Sequence, residues 1–443
     1  MSNGYNEFNL FFLLCPTMEF KSENFNKASL IGIWQSSNVQ NLFQSIFSRI
    51  IALFSSLVCS ILITRSLNLD DRGQLSFILA TVSLFVVFSN LGIINANIFH
   101  ASKEPKNCPK LLVNSFWFAL FVLLLTILCI GIFRNAGIVK SFTNFELIII
   151  SISVFANLSL LLFKNILIGD NKINKVNIVE SVIKSFSLVA IVILFVLNKI
   201  DLHVCVVYYL LEPLLTIAVF TFVQREWIVN LRFDFPYFKY NLKYGVRIYF
   251  LSLLGFLIMK ADVFFIKRFL DNKQLGIYAT SALVVENLGF IASVMSTLLL
   301  PRLIRIEGVR ERFLVSRRQT FIASVVLLII YSVAFVFAEF ILSIFIKSNA
   351  ILGVNVFRLL LVANFFLSVQ SVNVQFLNSI GVPSRLILYW FIASFSNIIL
   401  NFFFIKEYGI EGAAFFSVVS YFIIYILVFF ENKYQLKLHH DKN

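Results

Sequence analysis

Long apolar runs recur along the whole chain and leave little of it for anything else. They lie near 42–64, 75–98, 111–133, 146–168, 176–198 and 202–223, then near 246–266, 276–299, 319–345, 354–380, 387–405 and 411–430. A helix needs about 20 predominantly apolar residues to cross a hydrocarbon core of about 30 Å, so these runs read as about twelve transmembrane helices. Composition supports this: 59% of the residues are hydrophobic and 14% charged, against about 25% charged in soluble domains. So few charges cannot cover a soluble surface. A soluble enzyme, a fibrous protein and a disordered chain are excluded, and the expected fold class is an all-α integral membrane protein.

The net charge of +14 is explained by where the charges fall. With spans assigned, 22 of the 37 Lys and Arg residues lie in the N-terminal segment and the alternate gaps that share its side, and 10 lie on the other side. The positive-inside rule then places both termini in the cytoplasm, which requires an even number of spans. Nucleic acid is not needed to account for the charge. Residues 1–41 form an expected cytoplasmic leader. Its apolar stretch from Phe8 to Leu14 is short and has no basic flank, so it is not a signal peptide. The five cysteines form no CxxC and the four histidines are scattered, so no metal site is expected.

The chain reads as two halves. The connection 224–245 is basic, contains Pro236 and separates an N-terminal six-helix unit (42–223) from a C-terminal one (246–430), followed by a cytoplasmic tail (431–443). After the first run stand Arg65, Leu67 and Gly73; after the seventh stand Arg268, Leu270 and Gly276, at the same spacing. Gly169 after the fourth run is echoed by Gly381 after the tenth. Copies in the same orientation imply a pseudo-two-fold axis along the membrane normal, with a binding site between the halves.

Several segments carry a family resemblance. Lys260-Ala-Asp262 through Arg268-Phe-Leu270, followed by Gln274-Leu-Gly276-Ile-Tyr278-Ala279, resembles the seventh-to-eighth helix signature of oligosaccharide flippases. Leu377 to Arg385, Asn397 to Asn401, and Gly409-Ile-Glu411-Gly412-Ala413-Ala414 resemble later segments of the same family. The family is the polysaccharide and O-antigen exporters of the multidrug/oligosaccharidyl-lipid/polysaccharide superfamily, and the resemblance spans roughly residues 42–430. It implies two six-helix bundles around a central cavity. It also implies alternating access that moves an undecaprenyl-diphosphate-linked oligosaccharide across a bacterial cytoplasmic membrane.

Five basic residues remain inside the runs: Arg49, Lys164, Lys184, Lys260 and Arg358. A charge at mid-bilayer costs about 2.5–3.5 kcal/mol on insertion scales, so such groups should face protein or water. A lipid diphosphate is anionic; guanidinium binds its oxygens bidentately and ammonium as a point charge. Arg49, Lys184, Lys260 and Arg358 are therefore the candidate substrate-binding cations. Arg49 leads them, because it lies deep and has no carboxylate at i±3 or i±4. Lys164 sits near a span end and is expected to snorkel, and the same reading stays open for Arg358. Glu180 and Lys184 have the favourable i,i+4 order, so a local ion pair explains Lys184 equally well. Lys260 and Asp262, at i,i+2, point in different directions, one toward the cavity and one toward a neighbouring helix.

Glu212 and Glu286 lie near the midplane as lone carboxylates. Either they carry a coupling H+ or Na+, or they are neutral structural groups. Pro213 should open the helix beside Glu212. Gln370 and Asn373, at i,i+3, either offer amides to sugar hydroxyls or bond between helices, the latter being favoured. The arginine-rich loop Arg302–Arg318 is expected to dock on anionic lipid. Beyond the lipid-linked oligosaccharide and anionic lipids, a polymerase or glycosyltransferases of the same pathway are the expected partners, with no nucleic acid and no cofactor. Two alternatives stay open. A cation-coupled multidrug antiporter of the same fold would show a net negative cavity, and a polytopic lipid-linked glycosyltransferase would need external loops longer than these.

Overall fold

A computed structural model describes residues 37–135, 142–227 and 232–440. The expected leader lies almost entirely outside the described residues. The chain forms α1 (Ser37–Ser66), α2 (Leu69–Asn90), α3 (Ile93–Lys103), α4 (Cys108–Asn135), α5 (Asn144–Gly169), α6 (Ile173–Val196), α7 (Leu202–Val223), α8 (Phe235–Phe269), α9 (Asn272–Leu288), α10 (Phe290–Arg305), α11 (Val309–Val336), α12 (Ala338–Ile346), α13 (Val354–Asn373), α14 (Gln375–Ser379) and α15 (Arg385–His440). Eleven stretches among the described residues are long and apolar enough to cross a membrane. The last holds two crossings. A straight helix of 56 residues would run to about 84 Å, far beyond one bilayer, and Gly409 (φ 61°, ψ −152°) breaks it.

Boundaries differ from the apolar pattern where polar residues extend helices. Residues 235–245, expected in the connection between halves, are the first turns of α8, started by Asp234 accepting from the Tyr237 N–H at 3.1 Å. The arginine-rich segment is a loop only at 306–308; Arg302 and Arg305 end α10, and Arg310 to Arg318 open α11. Hydropathy cannot find such ends, because a helix continues past the hydrocarbon with polar residues.

In the first half α1 packs on α6, while α2, α3, α4 and α7 gather on α5; in the second, α8, α11 and α13 surround α15 and α9 to α11 meet α13. Fully buried alanines (Ala96, Ala119, Ala156, Ala363, Ala413 and Ala414) sit in these cores, as expected where close van der Waals approach drives helix association in lipid. The outside is apolar, with Phe121, Phe186, Phe222, Phe321 and Phe403 all at least 60% exposed. Such a surface belongs in a bilayer, which accounts for many of the 53 phenylalanines.

The halves repeat. The second crossing of each is broken at the same place: α2 yields to α3 at Leu91-Gly92, and α9 yields to α10 at Gly289. The turns after α5 and after α14 both use left-handed residues, Asn171 in one and Gly381 and Val382 in the other.

Candidate functional site

The halves meet along α2, α3 and α1 on one side and α8, α9 and α12 on the other. The contact at the loops 67–68 and 270–271 is reciprocal. A Cβ on Gly73 would stand 1.9 Å from the Asn272 carbonyl oxygen, and one on Gly276 would stand 2.1 Å from that of Leu69. Leu69 and Gly73 carry the same separation as Asn272 and Gly276, so each half presents to the other the surface it receives. That is the signature of a two-fold interface. Glycine is required in both places because backbone touches backbone.

Polar groups seal this end, called here the far end. Lys267 donates to Gln74 Oε1 at 2.9 Å and also bonds Asn272, with its ammonium 5.2 Å from the Phe77 ring. Gln74 in turn donates to Glu146 at 2.9 Å. Arg72, 6% exposed, reaches the Phe345 carbonyl at the last turn of α12 across 3.4 Å, where a helix end favours a cation. Sequence reasoning counted Arg72 and Lys267 as loop charges that set topology. The Arg, Leu and Gly echo beside them was the available signal.

Toward the other end, which carries the basic connections, the interface is asymmetric. On the side of α3 and α8 it is shut. Gly92 and Gly245 meet backbone to backbone, with a Cβ on Gly92 falling 2.0 Å from the Gly245 oxygen. Asn241 donates to Asn97 at 2.8 Å, and Tyr249 donates to the Phe88 carbonyl at 3.0 Å. On the side of α1 and α9–α10 there is instead a cavity of about 520 Å³, walled by Ile50, Leu53, Phe54 and Leu57 on α1 and by Leu283, Glu286, Asn287 and Phe290 across it.

Of the sequence candidates, Glu286 lines this cavity, and Arg49 and Lys260 each touch one of its lining residues. Arg49 is exposed and holds its guanidinium 5.7 Å from the Phe290 ring centroid. Lys260 bonds Glu286 at 2.7 Å. Glu286 is the ionisable side chain that lines the cavity among the described residues; Lys260 is paired with it, and Arg49 stands beside Phe290. Asp262 points into the second half's core instead, accepting from the Tyr278 hydroxyl and from the Val263 N–H at 2.8 Å.

The remaining candidates lie elsewhere. Lys184 pairs with Glu212 at 2.9 Å between α6 and α7, beside Cys59 of α1. Glu180 pairs with Lys164 on α5. The local Glu180–Lys184 pair is thus replaced by two pairs between helices, Lys164 is paired rather than snorkelling, and neither Glu212 nor Glu286 is a lone carboxylate. The physical reason is that these groups sit on helix faces turned toward a neighbouring helix, where pairing between helices satisfies both charges away from lipid. Arg358 donates to the Phe335 carbonyl at 3.3 Å with its guanidinium 5.0 Å from that ring, so it is held at the end of α11 and does not wall the cavity. Gln370 and Asn373 are buried in the second half, Asn373 accepting from Asn432 at 2.8 Å.

The arrangement, two helix bundles with a cavity between them, is the fold of a known class of membrane transporters. The chain has a TM-score of 0.69 with a structure described as lipid II flippase MurJ, inward closed conformation, at 15% identity over 89% of this chain and 87% of that one. It scores 0.63 with a transporter of the MOP superfamily from Pyrococcus furiosus (14% identity; 89% and 94% covered). It scores 0.66 with an inward-facing MATE family multidrug resistance transporter of that superfamily (12% identity; 90% and 99% covered). No curated protein matches the sequence. Residues 39–307 match the Polysacc_synt family, polysaccharide biosynthesis protein, and the chain belongs to that family.

Proposed function

We propose that the protein is a flippase, without catalytic chemistry of its own, that moves an undecaprenyl-diphosphate-linked oligosaccharide, such as an O-antigen repeat unit, across the bacterial cytoplasmic membrane. The observation that carries the reading is the cavity between α1 and α9–α10. It lies between the halves, its walls are largely apolar, and two cations, Arg49 and Lys260, stand against its lining residues Phe290 and Glu286. A lipid-linked diphosphate needs such a combination: apolar flanks for the isoprenoid and cations for the phosphates. The far end is shut while this cavity is open, as alternating access requires of one half of the cycle. The asymmetry of basic residues supports placing the open end and both termini in the cytoplasm.

Coupling follows from the Lys260–Glu286 pair. A substrate phosphate that draws Lys260 away leaves the Glu286 charge without its partner, to be balanced by a proton or a sodium ion. Membership of a polysaccharide family and the two cations beside the cavity, Arg49 and Lys260, favour this substrate over the cationic drugs of the antiporter reading.

The test is reconstitution of the purified chain in vesicles. A fluorescent lipid-diphosphate oligosaccharide should change leaflets, and an organic cation such as ethidium should not be moved. The reverse pattern overturns the proposal. Arg49→Ala should abolish surface polysaccharide in cells at unchanged protein level; normal polysaccharide removes Arg49 from the mechanism.

A further inference from the structure

A second cavity lies within the second half, away from the interface between the halves. It encloses about 150 Å³ near the basic end, among α11, the end of α13 and the last turns of α15, and is lined by Phe313, Ser316, Arg317, Asn373, Phe429, Asn432 and Lys433. Three of its side chains are buried with an unused polar atom. Ser316 is 2% exposed, Asn373 7% and Asn432 3%, and Ser316 Oγ, Asn373 Nδ2 and Asn432 Oδ1 have no hydrogen-bond partner among the described residues. Buried polar atoms are almost always paired, and three orphans around one cavity call for an occupant. Two are donors, Ser316 and Asn373; one, Asn432 Oδ1, accepts.

The cations complete the pattern. Arg317 and Lys433 line the same cavity, and neither is in an ion pair among the described residues. Lys433 rests its ammonium 4.5 Å from the Phe429 ring, which positions it without neutralising it. The adjacent carboxylate, Glu431, is occupied by Tyr389 at 2.6 Å and Gln435 at 2.8 Å.

We propose that this cavity binds a phosphate group that also carries a hydroxyl. Arg317, Lys433, Ser316 and Asn373 take the phosphate oxygens, and Asn432 Oδ1 takes the hydroxyl. Hydrogen phosphate and a glycerol-phosphate headgroup share this chemistry. The surroundings match a lipid: Phe321 continues the Arg317 face of α11 toward the bilayer centre, Phe429 and Phe430 precede Lys433, and all three are exposed. The site is separate from the transported substrate and does not depend on its identity.

Native mass spectrometry of the purified, delipidated full chain tests this. Phosphatidylglycerol should bind at least about tenfold more tightly than phosphatidylcholine. R317Q/K433Q should erase that preference. Ser316→Ala should weaken binding about threefold without lowering the Tm of the lipid-free protein, which keeps the test decisive if the double variant fails to fold. Displacement of the lipid by inorganic phosphate supports the shared phosphate contact. Binding of inorganic phosphate without phosphatidylglycerol assigns a soluble source to the same site. Equal retention of both lipids with no response to phosphate overturns the proposal. So does an equal loss in R302Q/R305Q, since diffuse surface charge would then suffice.

Discussion

The reciprocal glycine contact at the far end makes a quantitative prediction. In Gly73→Ala the new Cβ would lie 1.9 Å from the Asn272 carbonyl oxygen, where real Cβ atoms essentially never come closer than 3.0 Å. Backbone faces it, so no side chain can swing aside, and the halves must part there by about 1.1 Å. Overpacking of this kind costs about 1–3 kcal/mol. The cost applies only to the state with the far end closed, so it shifts the conformational equilibrium toward far-end opening by roughly 5- to 150-fold. Gly276→Ala should act in the same direction, with its Cβ 2.1 Å from the Leu69 oxygen. Spin labels on Asp70 and Lys273, both exposed at this end, would read the change by electron–electron double resonance as a longer, broader distance distribution. Gly255→Ala is the control, because a Cβ there meets nothing within 4 Å. If Gly73→Ala leaves the distances as in the parent protein while Gly255→Ala does too, the far-end contact is not a gate.

Glu286→Gln should free Lys260 and uncouple transport: flux in vesicles becomes independent of the proton and sodium gradients, whereas a merely structural Glu286 leaves the dependence intact. Lys184→Met strands Glu212 between α6 and α7. With 28% and 21% of the two side chains exposed, the cost falls below the 3–5 kcal/mol of a fully buried pair, at about 2 kcal/mol; a lower Tm restored by Lys184→Met/Glu212→Gln confirms it, and an unchanged Tm refutes it. His100, at the end of α3 and past the apolar run 75–98, is 1% exposed with its ring 4.6 Å from that of Tyr240, and neither ring nitrogen has a hydrogen-bond partner among the described residues. Burial pushes its pKa below the ordinary 6.5, with Glu104 opposing and Lys103 adding to the shift. The unfolded chain then binds the proton more readily, so stability rises with pH and is lost as pH falls below about 6.5. His100→Phe should flatten that part of the Tm–pH curve, and an unchanged acid slope assigns the loss to other groups.

Some of this was readable in order along the chain. Solvent sets hydropathy: a segment that must meet lipid carries apolar residues whatever it packs against, so the number of crossings and the class of fold follow from composition and run length. The pseudo-symmetry was readable as well, because backbone contact at Gly73 and Gly276 tolerates no side chain and leaves the same residue in both halves. Charge pairing was not. Lys164, Lys184 and Lys260 each chose a carboxylate on another helix, 16, 28 and 26 residues away, and separation along the chain says nothing about which helices become neighbours. Arg49, Lys260 and Glu286 come together because α1 faces α9 and α10 across a cavity between the halves, while Arg358 and Asn373, equally polar in sequence, face the ends of other helices. Apolar length along each run specifies that a helix forms and crosses. Which of its faces meets a partner, a cavity or lipid is decided by how the helices rotate against one another, which only tertiary packing sets.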